Sequence, residues 1–101
     1  MTVATTYTIT FGMFIPDGSC VSEDEWHLFL TQQVDPLLNS YSVRDELGIW
    51  DGIPAPARVL TYISTEYEDA LCIHAIASTY KQQFKQKAVM VNSFASYPEY
   101  V

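Results

Sequence analysis

His27 and His74, Cys20 and Cys72, Arg44 and Arg58, and the adjacent carboxylates Asp45 and Glu46 are the side chains whose types could do chemistry here. A metal centre would need both histidines and a carboxylate at ligand spacing, and neither His-x-x-x-His nor Glu-x-x-His occurs. Two histidines at the solvent edges of helices are the ordinary reading, and no metal is expected. No GxSxG elbow presents a serine nucleophile. Cys20 with His27 is the least poor nucleophile–base pair. A nearby helix start would lower the thiol pKa, but Glu23, Asp24 and Glu25 oppose that effect. Gly12 and Gly18 do not form a phosphate-cradling loop, and no cofactor is expected. Asp45 and Glu46 are neighbours in a strand-like segment, so they face opposite sides and cannot act as one acid–base pair.

Arg44 and Arg58 are the only arginines, on segments that a hairpin should bring side by side. Two arginines converging on an open sheet could hold a small anionic ligand through bidentate bonds. The competing reading pairs them with Glu46 and Asp45, an ordinary cross-strand arrangement.

The formal charge of −7 excludes a protein built to grip nucleic acid backbones, which needs clustered Lys and Arg. A basic partner is the tempting alternative. Yet six of the twelve acids (Glu23, Asp24, Glu25, Glu66, Glu68 and Asp69) fall in the first turns of two expected helices, where carboxylates are locally stabilising. The hydrophobic fraction of 49% and charged fraction of 17% exclude a disordered tail or a coiled coil. Fourteen aromatic residues exceed what a minimal core needs, so some should lie exposed or at an interface. The start, MTVATTYTIT, has neither a basic n-region nor an apolar h-region, and no apolar run reaches the ~20 residues that cross a membrane. A cytoplasmic location without a membrane partner is the expectation. Cys72 reads as a small buried helix residue and Cys20 as an exposed one after a turn; a disulfide between them is neither excluded nor required.

The elements that must position these residues are legible in order. Tyr7 to Ile15 alternates, with Tyr7, Ile9, Phe11 and Met13 on one side and Thr8, Thr10 and Gly12 on the other, which predicts a strand. Gly12 marks a bulge or a close approach to the backbone, the bulge being the preferred reading. Pro16-Asp17-Gly18-Ser19 is a turn. Ser22-Glu23-Asp24-Glu25 is a capping box, and the helix behind it carries Trp26, Phe29, Leu30 and Gln33 before Pro36 stops it near Val34 or Asp35. Ser42 to Trp50 predicts a second strand, and Asp51-Gly52 a hairpin. Pro54 and Pro56 should keep the near side irregular, leaving the third strand at Arg58 to Ser64. Thr65 can cap a long helix over Thr65–Gln86, with Ile73, Ile76, Ala77, Tyr80 and Phe84 on its apolar face. Ala88 to Val91 predicts the fourth strand.

The order strand, helix, strand, strand, helix, strand predicts an α+β ferredoxin-like sandwich: a four-stranded antiparallel sheet with two helices on one face, through right-handed crossovers. One domain, 1–101, is expected, with its core at about 7–92 and an irregular tail at 93–101. The uncovered sheet face should carry Thr8, Thr10, Arg44, Glu46 and Trp50, with Leu60 and Tyr62 or their neighbours from strand three.

The series Phe11-Gly12, Pro16-Asp17-Gly18, Val21-Ser22 with Glu25-Trp26 and Phe29, then Gly48 and Trp50, Tyr80-Lys81, Phe84 and Gln86, resembles an uncharacterised bacterial domain-of-unknown-function family, the thirty-five seventy-four type. The resemblance runs from about Tyr7 to Val91. It implies a ferredoxin-like domain and brings no activity with it. Its members are often exported, which this N-terminus does not suggest.

Three functions compete. The first is a binding module: a homodimer that uses its open sheet face for a partner protein or small ligand, with Thr8, Thr10, Arg44, Glu46, Trp50, Arg58 and Tyr62 as ligand or interface candidates. The second is a cofactor-independent enzyme of the dimeric α+β-barrel type acting on a small organic molecule, for which no catalytic residue is identified. The third is an acidic inhibitor that blocks a basic site on another protein.

Overall fold

The computed structural model describes residues 3–101. Strand β1 (Ala4–Gly12), helix α1 (Glu23–Phe29), strands β2 (Ser42–Trp50) and β3 (Ile53–Ser64), helix α2 (Asp69–Gln83) and strand β4 (Met90–Ser96) follow one another along the chain. The strands form one sheet in the order β2-β3-β1-β4, antiparallel at every pairing. This is the ferredoxin-like βαββαβ arrangement, and both helices pack on the same face.

Period-two alternation builds that face. Ile9 and Phe11 of β1 and Leu60 of β3 are fully buried against Trp26, Phe29, Ile73, Ile76, Ala77, Tyr80 and Phe84 from the helices. The centre is aromatic: the rings of Phe11 and Tyr80 lie 4.7 Å apart, Phe29 and Tyr80 5.1 Å, and Phe11 and Trp26 5.3 Å. Tilted and edge-on packing of this kind adds about 0.5–1.5 kcal/mol per pair beyond burial. Tyr80 hides its hydroxyl by donating to the Gly12 carbonyl at 2.6 Å.

The capping box of α1 forms as expected. Ser22 Oγ accepts from the Glu25 N–H, and the Glu25 carboxylate accepts from the Ser22 N–H. Beyond Phe29 the helix widens into one π-turn, Leu30–Val34, closed by the Asp35 N–H on the Leu30 carbonyl. That extra residue moves the buried positions on by one: Val34, not Gln33, completes the stripe, with Leu38 beyond it. Pro36 has no N–H to extend the helix, so the turn ends there.

Several expected boundaries move. β3 begins at Ile53 and runs through both prolines. β1 reaches only Ala57 of β3, so Pro54 lies where the hairpin outruns the rest of the sheet and no neighbour asks for its missing N–H. Pro56 is met just past the end of β1, where its carbonyl accepts from the Met13 N–H. β4 starts later than Ala88 and extends to Ser96, so 93–96 belongs to the sheet and not to an irregular tail. The first strand is earlier, ending at Gly12. Thr65 does not cap α2. Ser64 organises that start instead, donating to the Asp69 carboxylate and accepting from the Glu66 N–H. The β1–β3 register is continuous through Gly12, so there is no bulge. Gln86 approaches it: a Cβ at Gly12 would lie 2.9 Å from the Gln86 Oε1, while Gln86 Nε2 donates to the Phe14 carbonyl.

Candidate functional site

Where Ile9 and Leu60 face the helices, their neighbours face away. The uncovered face therefore carries Thr6, Thr8, Thr10 and Gly12 from β1, Ile53, Ala55, Ala57, Val59, Thr61 and Ile63 from β3, Arg44, Glu46, Gly48 and Trp50 from β2, and Met90, Asn92 and Phe94 from β4. Its middle is a band of threonines. Thr8 stands opposite Thr61 on one side and Asn92 on the other, and Thr10 stands between Val59 and Met90. Val59 is only 2% exposed although no helix covers it. Around the band stand Trp50, Ile53, Ile63, Met90 and Phe94, all exposed.

Trp50 and the small residues make the face concave. The indole lies back over Gly48, whose missing side chain makes room: a Cβ there would be 2.9 Å from the Trp50 Nε1. A cavity of about 240 Å³ follows, lined by Trp50, Gly12, Ala55, Ala57, Thr10 and Met90. At the other end of the face, Tyr100 shares a cavity wall with Ser42, Thr61 and Ile63. The C-terminal segment thus returns from β4 to the neighbourhood of β2 and β3. The face thus combines an apolar groove, a polar band and the Arg44–Glu46 pair.

The arginines part company. Arg44 stays on the open face, 3.7 Å from the Glu46 carboxylate and donating to Thr61 Oγ1. Arg58 turns to the helix side, where its guanidinium pairs with Glu23 at the start of α1 and with Asp45 at 3.2 Å, and stacks 5.4 Å over Trp26. The hydrogen bond from Arg58 lowers the Glu23 pKa, and the same bond raises that of Arg58. Two arginines converging on one ligand is therefore not what the register produces. The alternative, pairing with Glu46 and Asp45, is what forms. Tyr62, like Leu60, faces the helices; its hydroxyl donates to Asp69, and burial raises its pKa above the usual phenol value. Thr8, Thr10, Arg44, Glu46 and Trp50 share the open face as expected. Ile53, Ile63, Met90 and Phe94 complete it, and their alternation could be read from the sequence only once β3 and β4 had their true bounds.

On the helix side, a second cavity of about 430 Å³ lies between β1 and the start of α2, lined by Tyr7, Ser64, Tyr67, Leu71, Glu66 and Glu68 among others. His27 and His74 are both exposed, one on each helix. No group of His, Cys, Asp and Glu able to hold a metal ion occurs among the described residues. Cys20 and Cys72 are free thiols. No helix among the described residues is long and apolar enough to cross a membrane.

A family model described as "Protein of unknown function (DUF3574)" matches residues 6–98. The chain belongs to this family. Its matched region takes in every strand but the start of β1. Among solved structures, a phage SAM lyase in its apo state is similar at a TM-score of 0.61 with 15% identity, covering 96% of this chain and 91% of that one. That likeness is one of fold. A de novo designed protein, Foldit4, superposes at a TM-score of 0.45 with 15% identity, over 96% of this chain and 98% of that one. No curated protein matches the chain.

Proposed function

We propose that this protein is a small binding module that works as a homodimer and uses its open sheet face to hold a partner protein or a small ligand. One observation carries the reading. Trp50, Ile53, Ile63, Met90 and Phe94 stand exposed on a face that no helix covers, around a groove floored by glycine and alanine. Contiguous apolar surface of this kind on a small domain marks an interaction site. The acids support the same choice over an acidic inhibitor. Glu25 closes the capping box, Glu23 and Asp45 hold Arg58, and Asp69 accepts from Tyr62 and Ser64.

Native mass spectrometry of the protein from its own source, with Trp50→Ala beside it, tests the reading. A dimer whose co-purified molecule or partner is lost in Trp50→Ala supports it. A bare monomer that binds nothing sinks it.

A second reading, an enzyme that handles a small organic molecule without a bound cofactor, has one observation in its favour. The cavity at Tyr7 and Tyr67 offers aromatic walls, a serine and two carboxylates in one place, on a fold that also serves a protein named as a lyase. Turnover of a candidate substrate that vanishes in Tyr7→Phe or Ser64→Ala, with the fold intact, would favour it.

A further inference from the structure

β2 is an edge strand of the sheet, paired only with β3. Its outward backbone groups follow from the hairpin. Asp51 and Gly52 both have positive φ, 51° and 77°, which makes a two-residue type I′ turn whose flanking residues, Trp50 and Ile53, bond each other. Bonded and free positions alternate from there, so Gly48, Glu46, Arg44 and Ser42 bond β3. Val43, Asp45, Leu47 and Ile49 point their N–H and C=O groups out of the sheet. The prolines agree with this phase: Pro54 and Pro56, which have no N–H to give, stand opposite Ile49 and Leu47.

An edge of nine residues with no proline and no bulge is one that other proteins guard. Here the guard is weak, because its charges are of both signs: Arg44 is cationic, Asp45 and Glu46 anionic. The tip of the hairpin is also apolar on both faces. Leu47 and Ile49 face the helix side at 67% and 59% exposure, and Trp50 and Ile53 the open side at 64% and 66%. The fold leaves that arm unsupported.

We infer that two copies of this chain join through β2, antiparallel, with Asp45 opposite the Asp45 of the second copy. This rests on the homodimer reading above and names its interface. In that register each Arg44 stands opposite the partner's Glu46, in a pair without backbone bonds between them, where side chains come closest. Each Leu47 stands opposite the partner's Val43, and each Ile49 opposite the partner's Tyr41, which covers the exposed arm. The two Asp45 carboxylates meet, but each accepts from its own Arg58 Nε at 3.2 Å. Sliding the strands by two residues puts Glu46 against Glu46 or Arg44 against Arg44. Sliding by one sets outward groups against inward ones, and the ladder is lost. The opposite edge, β4, is shorter, at seven residues, and has no charges to set a register. Because residues of one parity meet residues of the same parity, both open faces end on the same side of an eight-stranded sheet. The ligand face is thereby doubled in area.

Sedimentation equilibrium on the whole chain, with hydrogen exchange of the β2 amides, tests the inference. The expected result is a concentration-dependent dimer in which the amides of Val43, Asp45, Leu47 and Ile49 are protected. Glu46→Arg, which turns two attractions into two repulsions, should weaken the dimer by roughly tenfold or more. Arg44→Glu combined with Glu46→Arg restores the pairs and should restore the dimer. That rescue also excludes a folding defect as the cause. A dimer indifferent to Glu46→Arg, with those four amides exchanging freely, overturns the β2 interface and leaves the homodimer reading standing. A monomer at every concentration overturns both.

Discussion

The two faces of the sheet come from the same four strands and alternate residue by residue, yet they differ in how they treat polarity. On the helix face the polar groups beside the core are tied to partners within the fold. Tyr80 bonds the Gly12 carbonyl, Arg58 ties the start of α1 to β2 and β3, and Tyr62 and Ser64 hold Asp69. On the open face Trp50, Met90, Phe94, Ile53 and Ile63 leave about half or more of their surface exposed. The difference teaches that packing and exposure are assigned to alternate residues of the same strands, so one face can be changed without the other.

The sharpest break of that comparison sets Phe11→Ala against Trp50→Ala. Emptying the centre of the aromatic core should cost about 3–5 kcal/mol in urea unfolding. Trp50→Ala should cost less than about 0.5 kcal/mol, since it is 64% exposed, while abolishing whatever the open face binds. Equal costs would mean that the open face is part of the core.

A smaller effect comes from Tyr80→Phe, expected to lose about 1 kcal/mol with the bond to the Gly12 carbonyl. Burial raises the Tyr80 pKa, so its neutral form is favoured by folding. That contribution is fully present below the unfolded value of roughly pH 10 and is lost as pH rises above it. Stability of the native chain should fall at alkaline pH, and Tyr80→Phe should flatten the fall.

Gly12→Ala tests how closely Gln86 packs. Alone it should cost up to about 1 kcal/mol, because the new methyl displaces a side chain held by the Phe14 carbonyl. In a Gln86→Ala background the same change should be neutral or slightly stabilising, as loss of glycine from a strand ordinarily is. Equal costs in the two backgrounds would show that Gln86 is not what makes the position tight.

The smallest effect belongs to Glu23, which is exposed. Its bond to Arg58 lowers its pKa, so the contribution is present above the unfolded value of roughly pH 4.3 and fades as pH falls through the lower folded value. Glu23→Gln should flatten the acid limb of a thermal-melt series, and added salt should shrink the difference. An acid limb unchanged in Glu23→Gln would place the tie between α1 and the sheet in Trp26 packing alone.

What the sequence determined by itself is whatever short-range chemistry decides. Ser22 and Glu25 satisfy each other within one turn, Asp51-Gly52 supplies the two positive φ angles a tight hairpin needs, and Val43, Leu47 and Ile49 alternate with Arg44, Glu46 and Gly48. These features, with the order of the elements, were enough for the ferredoxin-like fold and for five of the open-face side chains: Thr8, Thr10, Arg44, Glu46 and Trp50. What only the tertiary structure decided is where neighbours stop. Pro54 and Pro56 look like strand breakers until β1 ends short of them, and 93–96 looks irregular until β1 supplies it with a ladder. Arg58 and Tyr62 look like surface residues until the phase of β3 against β1 turns them under the helices. A one-residue change of phase moves a side chain through the sheet, and that phase is set by pairing partners far away in the chain.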